Sequence, residues 1–438
     1  MRHHPFRRRP LRSAAPGYGR IGAAAAAFGL TAATLTGCGS DGEEEVTLSL
    51  VAADYDVDGG QSSRAYWDGL VTAFEKKNKG IKVDVRIEPW TNVDRTVQEM
   101  VDAGQAPDIA QIGAYADYAA EDKLYDVDQL LSLGTMTNFL RPLAVAGEHR
   151  RTQYGMPFVA STRLLFYNKK LFDEAGIEEP PKTWDELRDA AERLKDNTKA
   201  VYPYALPLGP EEAQAETLNW MISAGDSYTV AGSGYTINSE RNVSTVKWVK
   251  ENLVDKELTG PVTPGQLNRK DAFAAFARGE VGMLNGHPSL LRIADKAGIE
   301  MGTVAIPGPD GKPQHAMGVA DWVMAFKENG NRAEIGKFLD FLYTDENVMA
   351  FAAQNNLLPV TTSAFDAMRE DPEYKELKGF LDELPDSVLP PVGKTSWASV
   401  SADLKKNMGR AVAPGGNPKA ILDGIDKKAE EAERAEEE

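Results

Sequence analysis

The sequence predicts an α/β fold of mainly parallel sheets flanked by helices, and three stretches carry that prediction. Residues 46–52 (VTLSLVA) alternate apolar and polar side chains as a strand does, a helical stripe of Trp67, Leu70, Val71 and Phe74 follows, and 81–87 (IKVDVRI) alternates again. Strand, helix and strand in that order form a βαβ unit, which lays two strands parallel with the helix against the sheet. Residues 154–194 repeat the logic: an aliphatic and aromatic run at 158–167 feeds a short helix from Leu171 that Gly176 ends and Pro180-Pro181 forbid to continue. Thr183 then sits three residues before Glu186, a capping box opening an amphipathic helix with Trp184, Leu187, Ala191 and Leu194 on one side. At 438 residues and 42% apolar, the chain can bury two cores of ordinary size.

The N-terminus reads as an export signal. Six arginines before Ile21 make a cationic segment, residues 21–36 are apolar, and Leu35-Thr36-Gly37-Cys38 is a small-residue site ending in the one cysteine of the chain. It looks like a bacterial lipobox, so residues 1–37 are expected to be a lipoprotein signal peptide. Cys38 would then be lipidated and 38–45 would be a polar tether. Sixteen alanine-rich residues fall short of the roughly 20 that span a bilayer. Arg8-Arg9 is compatible with twin-arginine as well as general export. Removing the segment leaves 43 basic against 66 acidic residues, a net of about −23 that repels nucleic acid and anionic headgroups.

Beyond the first βαβ unit, Val93, Val97, Met100 and Val101 predict a helix that Gly104 ends, and Pro107-Asp108-Ile109 opens another strand. The text from 202 to 264 is more broken, with helices expected near 217–224 and 243–252. Residues 271–278 read as a helix, 280–285 and 317–326 as strands, and Ile335, Phe338, Leu339 and Leu342 as the buried stripe of a helix over 333–343. The last residues, 427–438, are charged all round and read as a solvated, fraying helical end.

Several motifs resemble one family. Tyr154-Gly155-Met156-Pro157, then Tyr167-Asn168-Lys169, then Pro180-Pro181-Lys182-Thr183-Trp184-Asp185-Glu186-Leu187 are similar to the extracellular solute-binding proteins of ABC importers, in the maltose-binding-protein-like sugar branch. The resemblance extends from about Val46 to Ile425. It implies a two-lobe periplasmic-binding-protein-like fold joined by crossing hinge strands. On that pattern lobe 1 takes 46–159 and 318–363, lobe 2 takes 160–317 and 364–425, and 426–438 is a tail. The implied function is capture of a sugar or oligosaccharide by lobe closure and delivery to a membrane permease, outside the cytoplasm, by a monomer tethered through Cys38, with no cofactor and no catalysis.

Candidate ligand contacts come from position and from the resemblance. Asp54 and Tyr55 follow the first strand, Trp90 ends a later one, and Tyr115 follows the Pro107-Asp108 strand. Glu211, Glu212 and Glu216 precede Trp220 in the second lobe. Asn285-Gly286-His287-Pro288 occupies a turn where the family carries a tryptophan, so His287 would hydrogen-bond in place of stacking. Trp322 lies on the second crossing strand and Trp397 matches a sugar-stacking position of the family. Each aromatic has the alternative of filling a lobe's core, and Trp67, Trp184 and Trp248 are assigned to packing because they fall on helical apolar stripes. Arg163 is either a hinge salt-bridge partner or a ligand contact.

Other chemistries find little support. The histidines at 149, 287 and 315 lack zinc-motif spacing, and no nucleophile elbow, phosphate loop or H-E-x-x-H occurs. Residues 54–59 copy the first half of a calcium loop but Ala65 stands where its bidentate glutamate is needed. A G-x-G-x-x-G match at 17–22 has no preceding strand. The remaining alternatives are a receptor for a polyamine, peptide or polyol, and a secreted glycoside hydrolase, which needs only two carboxylates.

Overall fold

The computed structural model describes residues 45–55, 63–230, 234–312 and 315–437. The signal segment with its G-x-G-x-x-G match, Cys38, the tether up to 44 and the calcium-like residues 56–59 lie outside the described residues.

Eleven strands form two main sheets and a small hairpin among the described residues. They are β1 (Val46–Asp54), β2 (Ile81–Pro89), β3 (Ile109–Ile112), β4 (Glu148–His149), β5 (Thr152–Gln153), β6 (Met156–Thr162), β7 (Leu164–Asn168), β8 (Tyr202–Tyr204), β9 (Val281–Gly286), β10 (Met301–Val304) and β11 (Gly318–Ala325). The first sheet runs β2-β1-β3-β11-β6 and the second β10-β7-β9-β8, while β4 and β5 pair by themselves. The expected first βαβ unit is present, with β1 parallel to β2 from Val46 opposite Ile81 and the helix Ser63–Lys77 between them. The sheets are mixed and not mainly parallel. β11 runs antiparallel to both β3 and β6, and β7 antiparallel to both β9 and β10. The reason lies in the connections, because the chain passes directly from one sheet to the other at 162–164 and returns at β11 without the crossover helix a parallel neighbour requires.

Burial follows strand position. β2 lies at a sheet edge, burying Ile81, Val83 and Val85 while Lys82, Asp84 and Arg86 face out, which keeps the edge from pairing with other chains. β3 lies inside the sheet and all four of its residues are buried. Its start is pinned by Asp108, which accepts bonds from Ser49 N at 2.7 Å, Ser49 Oγ at 2.8 Å and Asn331 Nδ2 at 2.8 Å.

One residue, Arg163, separates β6 in the first sheet from β7 in the second. The junction is braced by the helix Lys378–Glu383: Phe380 lies 5.9 Å from Phe166, and its carbonyl accepts from Thr162 Oγ1 at 2.9 Å. In the second sheet's layer, the helix Trp184–Asn197 carries the capping box read from the sequence, with Thr183 Oγ1 accepting from Glu186 N at 3.1 Å and Glu186 Oε2 accepting from Thr183 N at 3.2 Å. The terminal helix Pro418–Glu437 is less solvated than its charge suggests, since Leu422, Ile425, Asp426 and Ala429 are buried and Glu433 pairs with Lys394.

Replacing Thr183 by Ala removes the cap of a helix that buries Trp184, Leu187 and Leu194, and should cost about 1 kcal/mol of unfolding free energy. Urea denaturation followed by far-UV dichroism checks this as a lower midpoint with an unchanged slope.

Candidate functional site

The ends of the two sheets converge on the hinge. Parallel β1, β2 and β3 finish at Asp54, Pro89 and Ile112, and β6 finishes at Thr162 beside Arg163. In the second sheet β8 and β9 are parallel and end at Tyr204 and Gly286, while antiparallel β7 begins at Leu164, opposite Gly286. Strand C-termini of open α/β sheets are where ligands lie, because side chains from successive turns gather there.

The wall from the second sheet is a polar network. Arg163, 6% exposed, donates from Nη2 to Glu212 Oε1 at 2.8 Å and from Nη1 to Ser161 Oγ at 3.1 Å. Burial lowers its pKa and Glu212 works against that shift. Glu212, at the start of the helix Ala213–Ser223, also pairs with Arg269, whose Nη2 reaches Glu211 Oε1 at 2.7 Å. Arg269 Nη1 is 3.0 Å from His287 Nε2, and Ser289 Oγ is 2.9 Å from Nδ1. A guanidinium can only donate, so Nε2 accepts and the ring proton sits on Nδ1, directed at Ser289. Burial, with Arg163 and Arg269 beside it, holds the His287 pKa well below the usual value, which is consistent with a neutral ring.

Behind these pairs, Glu216 Oε1 accepts from Asn285 Nδ2 at 3.0 Å, Trp220 Nε1 at 3.1 Å and Tyr204 Oη at 3.2 Å. Burial nevertheless pushes its pKa up to about 7. The Oδ1 atoms of Asn219 and Asn285, both nearly fully buried, have no protein partner. Two guanidinium charges thus face the carboxylates of Glu211 and Glu212, and the wall is compensated.

The wall from the first sheet is built on Tyr55. Its hydroxyl donates to Asp321 Oδ2 at 2.6 Å and accepts from Gln111 Nε2 at 3.0 Å, and Gln111 Oε1 accepts from Ala53 N at 3.0 Å. Burial pushes the Asp321 carboxyl up to about 6. Trp90 stands edge-on to Tyr55 with ring centroids 5.3 Å apart, and beside it Asp94 Oδ1 accepts from Gly113 N at 3.1 Å.

The structure brings Tyr55 and Trp90 together at this end of the first sheet, with Asp54 closing β1, and Arg163, Glu211, Glu212, Glu216 and His287 together in the second. Tyr115 and Trp322 are placed elsewhere and are corrected to core residues. They are 0% and 1% exposed, lie 5.3 Å apart in a T-shaped pair, and Tyr115 Oη donates to the Ala146 carbonyl at 2.6 Å. The glycine of the Tyr154-Gly155 motif makes room for them, since a Cβ there would sit 2.7 Å from the Tyr115 ring. Trp397 opens the helix Trp397–Val412 with its ring 5.6 Å from Tyr228 in the second lobe's core layer. Sequence reasoning missed Asp321, Gln111 and Arg269. Asp321 directly precedes Trp322 on β11, and alternation on a strand sends neighbours to opposite faces, so the polar residue was the available signal. Among the described residues no group of His, Cys, Asp and Glu side chains is placed to hold a metal ion.

The comparisons with known proteins fit this architecture. The family described as bacterial extracellular solute-binding protein matches residues 59–349. A protein of Brucella abortus (strain 2308), whose name claims no more than binding, is 28% identical over 412 residues, covering 92% of this chain and 96% of that one. The sn-glycerol-3-phosphate-binding periplasmic protein UgpB of Escherichia coli (strain K12) is 30% identical over 234 residues, 51% of this chain and 52% of its own. The solved cyclic alpha-maltosyl-1,6-maltose binding protein from Arthrobacter globiformis superposes with a TM-score of 0.74 at 20% identity, over 88% of this chain and 98% of that one. With the match spanning well over half of its length, and two sheets whose ends meet at a single-residue hinge, this chain belongs to the bacterial extracellular solute-binding proteins.

Proposed function

We propose that the chain is the lipid-tethered receptor of an ABC importer, that it takes up a neutral sugar or oligosaccharide between its two lobes, and that it hands the ligand to a membrane permease. The observation that carries the ligand class is the compensated wall described above, in which each guanidinium is already spent on a carboxylate and the histidine is neutral. Such a wall offers many hydrogen-bond donors and acceptors and no uncompensated cation. A sugar needs that pattern around its hydroxyls and an aromatic edge such as Tyr55 and Trp90 against its C–H faces. The sugar specificity of the Arthrobacter globiformis neighbour points the same way. The lobes divide as the sequence motifs suggest, 46–159 with 318–363 and 160–317 with 364–425. Cys38 carries the anchor, the receptor acts as a monomer outside the cytoplasm, and the described residues include no helix long and apolar enough to cross a membrane.

A second reading, a polyol phosphate, is favoured by the relative named for sn-glycerol-3-phosphate. A phosphate would require a cation not already neutralised, and Arg163 is held by Glu212 and Arg269 by Glu211 and Glu212. Calorimetry with a panel of neutral mono- and oligosaccharides beside sn-glycerol-3-phosphate separates the two. Saturable binding near micromolar, about −8 kcal/mol, is expected for a neutral sugar, and binding of the phosphate alone would overturn the sugar assignment.

Arg163→Ala should weaken that ligand about tenfold to a hundredfold, the loss expected for one hydrogen bond to a charged group, and titration of the variant reads it directly. Glu216 supplies a pH test. Its ordinary pKa is 4.5 and its folded value about 7, so across that window the folded chain keeps a proton the unfolded chain has released. Stability is therefore highest below the window and falls as pH rises through it, by up to about 3 kcal/mol from this group. Unfolding free energies of wild type and Glu216→Gln at pH 5 and pH 8 should diverge by that order, with the variant gaining at pH 8, whereas parallel profiles would show an ordinary carboxylate.

A further inference from the structure

A cavity of about 570 Å3 lies in the second lobe and shares no residue with the polar wall of the hinge. Its floor is indole. Trp184 and Trp248 lie 4.9 Å apart at 39°, and both rest against Trp220, at 5.7 and 6.0 Å. Trp184 is buried, but Trp248 is only half-buried, because the helix Glu240–Val249 turns Asn242, Thr245, Val246 and Val249 inward and leaves Trp248 at the margin of that stripe. One face of Trp248 is therefore backed by packed rings while the side chain still borders the cavity, as a stacking plate requires.

The rim is polar and balanced. Asp185 and Asp310 supply two acids, Arg241 and Lys312 two bases. Asp185 pairs with Arg188 at 2.7 Å and Asp310 with Lys312 at 3.0 Å, while Arg241 Nη1 donates to the carbonyls of Ala224 and Gly225 at 3.1 and 3.3 Å. The loop carrying Pro309 and Asp310 is held to the capped helix start, where Trp184 N donates to the Gly308 carbonyl at 3.0 Å. A rim of carboxylates, a guanidinium and an ammonium group around an aromatic plate suits a ligand with an apolar face and a hydroxylated edge. The volume falls within the roughly 300–1,000 Å3 of small-molecule sites.

We infer that the second lobe has a second carbohydrate site, in which a pyranose ring stacks on Trp248 and its hydroxyls meet Asp185, Asp310, Arg241 and Lys312. Only the choice of a sugar as ligand class rests on the function proposed above, since the site itself is built from residues the hinge does not use. Trp220 stands between the two sites, its Nε1 bonded to Glu216, so tryptophan emission would report both at once and calorimetry is the better readout.

The test is titration of the whole chain with maltose, maltotriose and maltoheptaose, in wild type, Trp248→Ala, Trp248→Phe and Arg163→Ala. Two binding events are expected in wild type. Trp248→Ala should weaken the second about tenfold or more while leaving the first within about twofold, Trp248→Phe should restore most of the second, and Arg163→Ala should weaken only the first, about tenfold to a hundredfold. A single event unaltered by Trp248→Ala, or a second event lost with Arg163→Ala, overturns the site. Loss of the first event alone from the wild-type profile would sink the hinge assignment and leave this one standing, whereas no binding of any of the sugars sinks both.

Discussion

The arrangement of this molecule depends on one buried cation. Arg163 is the residue at which the chain leaves one sheet for the other, and its guanidinium is almost fully enclosed. An enclosed charge costs several kcal/mol unless it is paired with good geometry. Glu212 must therefore be where it is, and Glu212 is fixed at the start of the helix Ala213–Ser223 and by Arg269. Arg269 in turn holds Glu211 and His287. The start of β7, the end of β9, the start of that helix and the start of the helix Arg269–Ala277 are tied through a chain of charge pairs to the hinge residue. Arg163 is thus tied to the second-lobe wall through Glu212 and to the first sheet through Ser161 Oγ.

Features set by neighbours in sequence were legible before the structure. The Thr183 capping box, the alternation of β2 and the βαβ unit that begins at Val46 all depend on contacts within a few residues or on a period of two. Antiparallel pairing of β7 and β11 was not legible, because nothing in a strand's own residues states which neighbour it meets. The same limit explains the site residues. Glu216 was named from its place before Trp220 and His287 from the family's turn, whereas Arg269 meets the wall through partners 58 and 18 residues away. Tyr115 and Trp322 misled because each follows or crosses the right strand, yet their rings turn into the layer behind it.

The polar wall shows how a site can be rich in ionisable groups and leave no cation uncompensated. Three donors converge on one oxygen of Glu216, which by themselves would keep the carboxylate ionised, and burial still raises its pKa to about 7. The desolvation effect outweighs the hydrogen bonds that Glu216 accepts. His287 presents the converse: two guanidinium groups and burial act in the same direction and discharge it. Acidity of the whole sequence and pairing of the cations in the inner wall are separate properties.

What distinguishes an aromatic plate from a core filler is whether both faces are covered. Of the seven tryptophans, Trp67 is stacked on Phe158 at 5.5 Å and edged by Tyr66, Trp322 meets Tyr115, and Trp184 and Trp220 pack on each other, all four buried. Trp90, Trp248 and Trp397 are half-buried, and each has an aromatic neighbour, Tyr55, Trp184 and Tyr228 respectively. An indole held by a neighbour loses little rotamer freedom when something lands on its open side, so the entropy that would oppose stacking has already been met in folding. By that physical criterion Trp248, which its helical stripe assigns to packing, falls in the same group as Trp90 at the hinge.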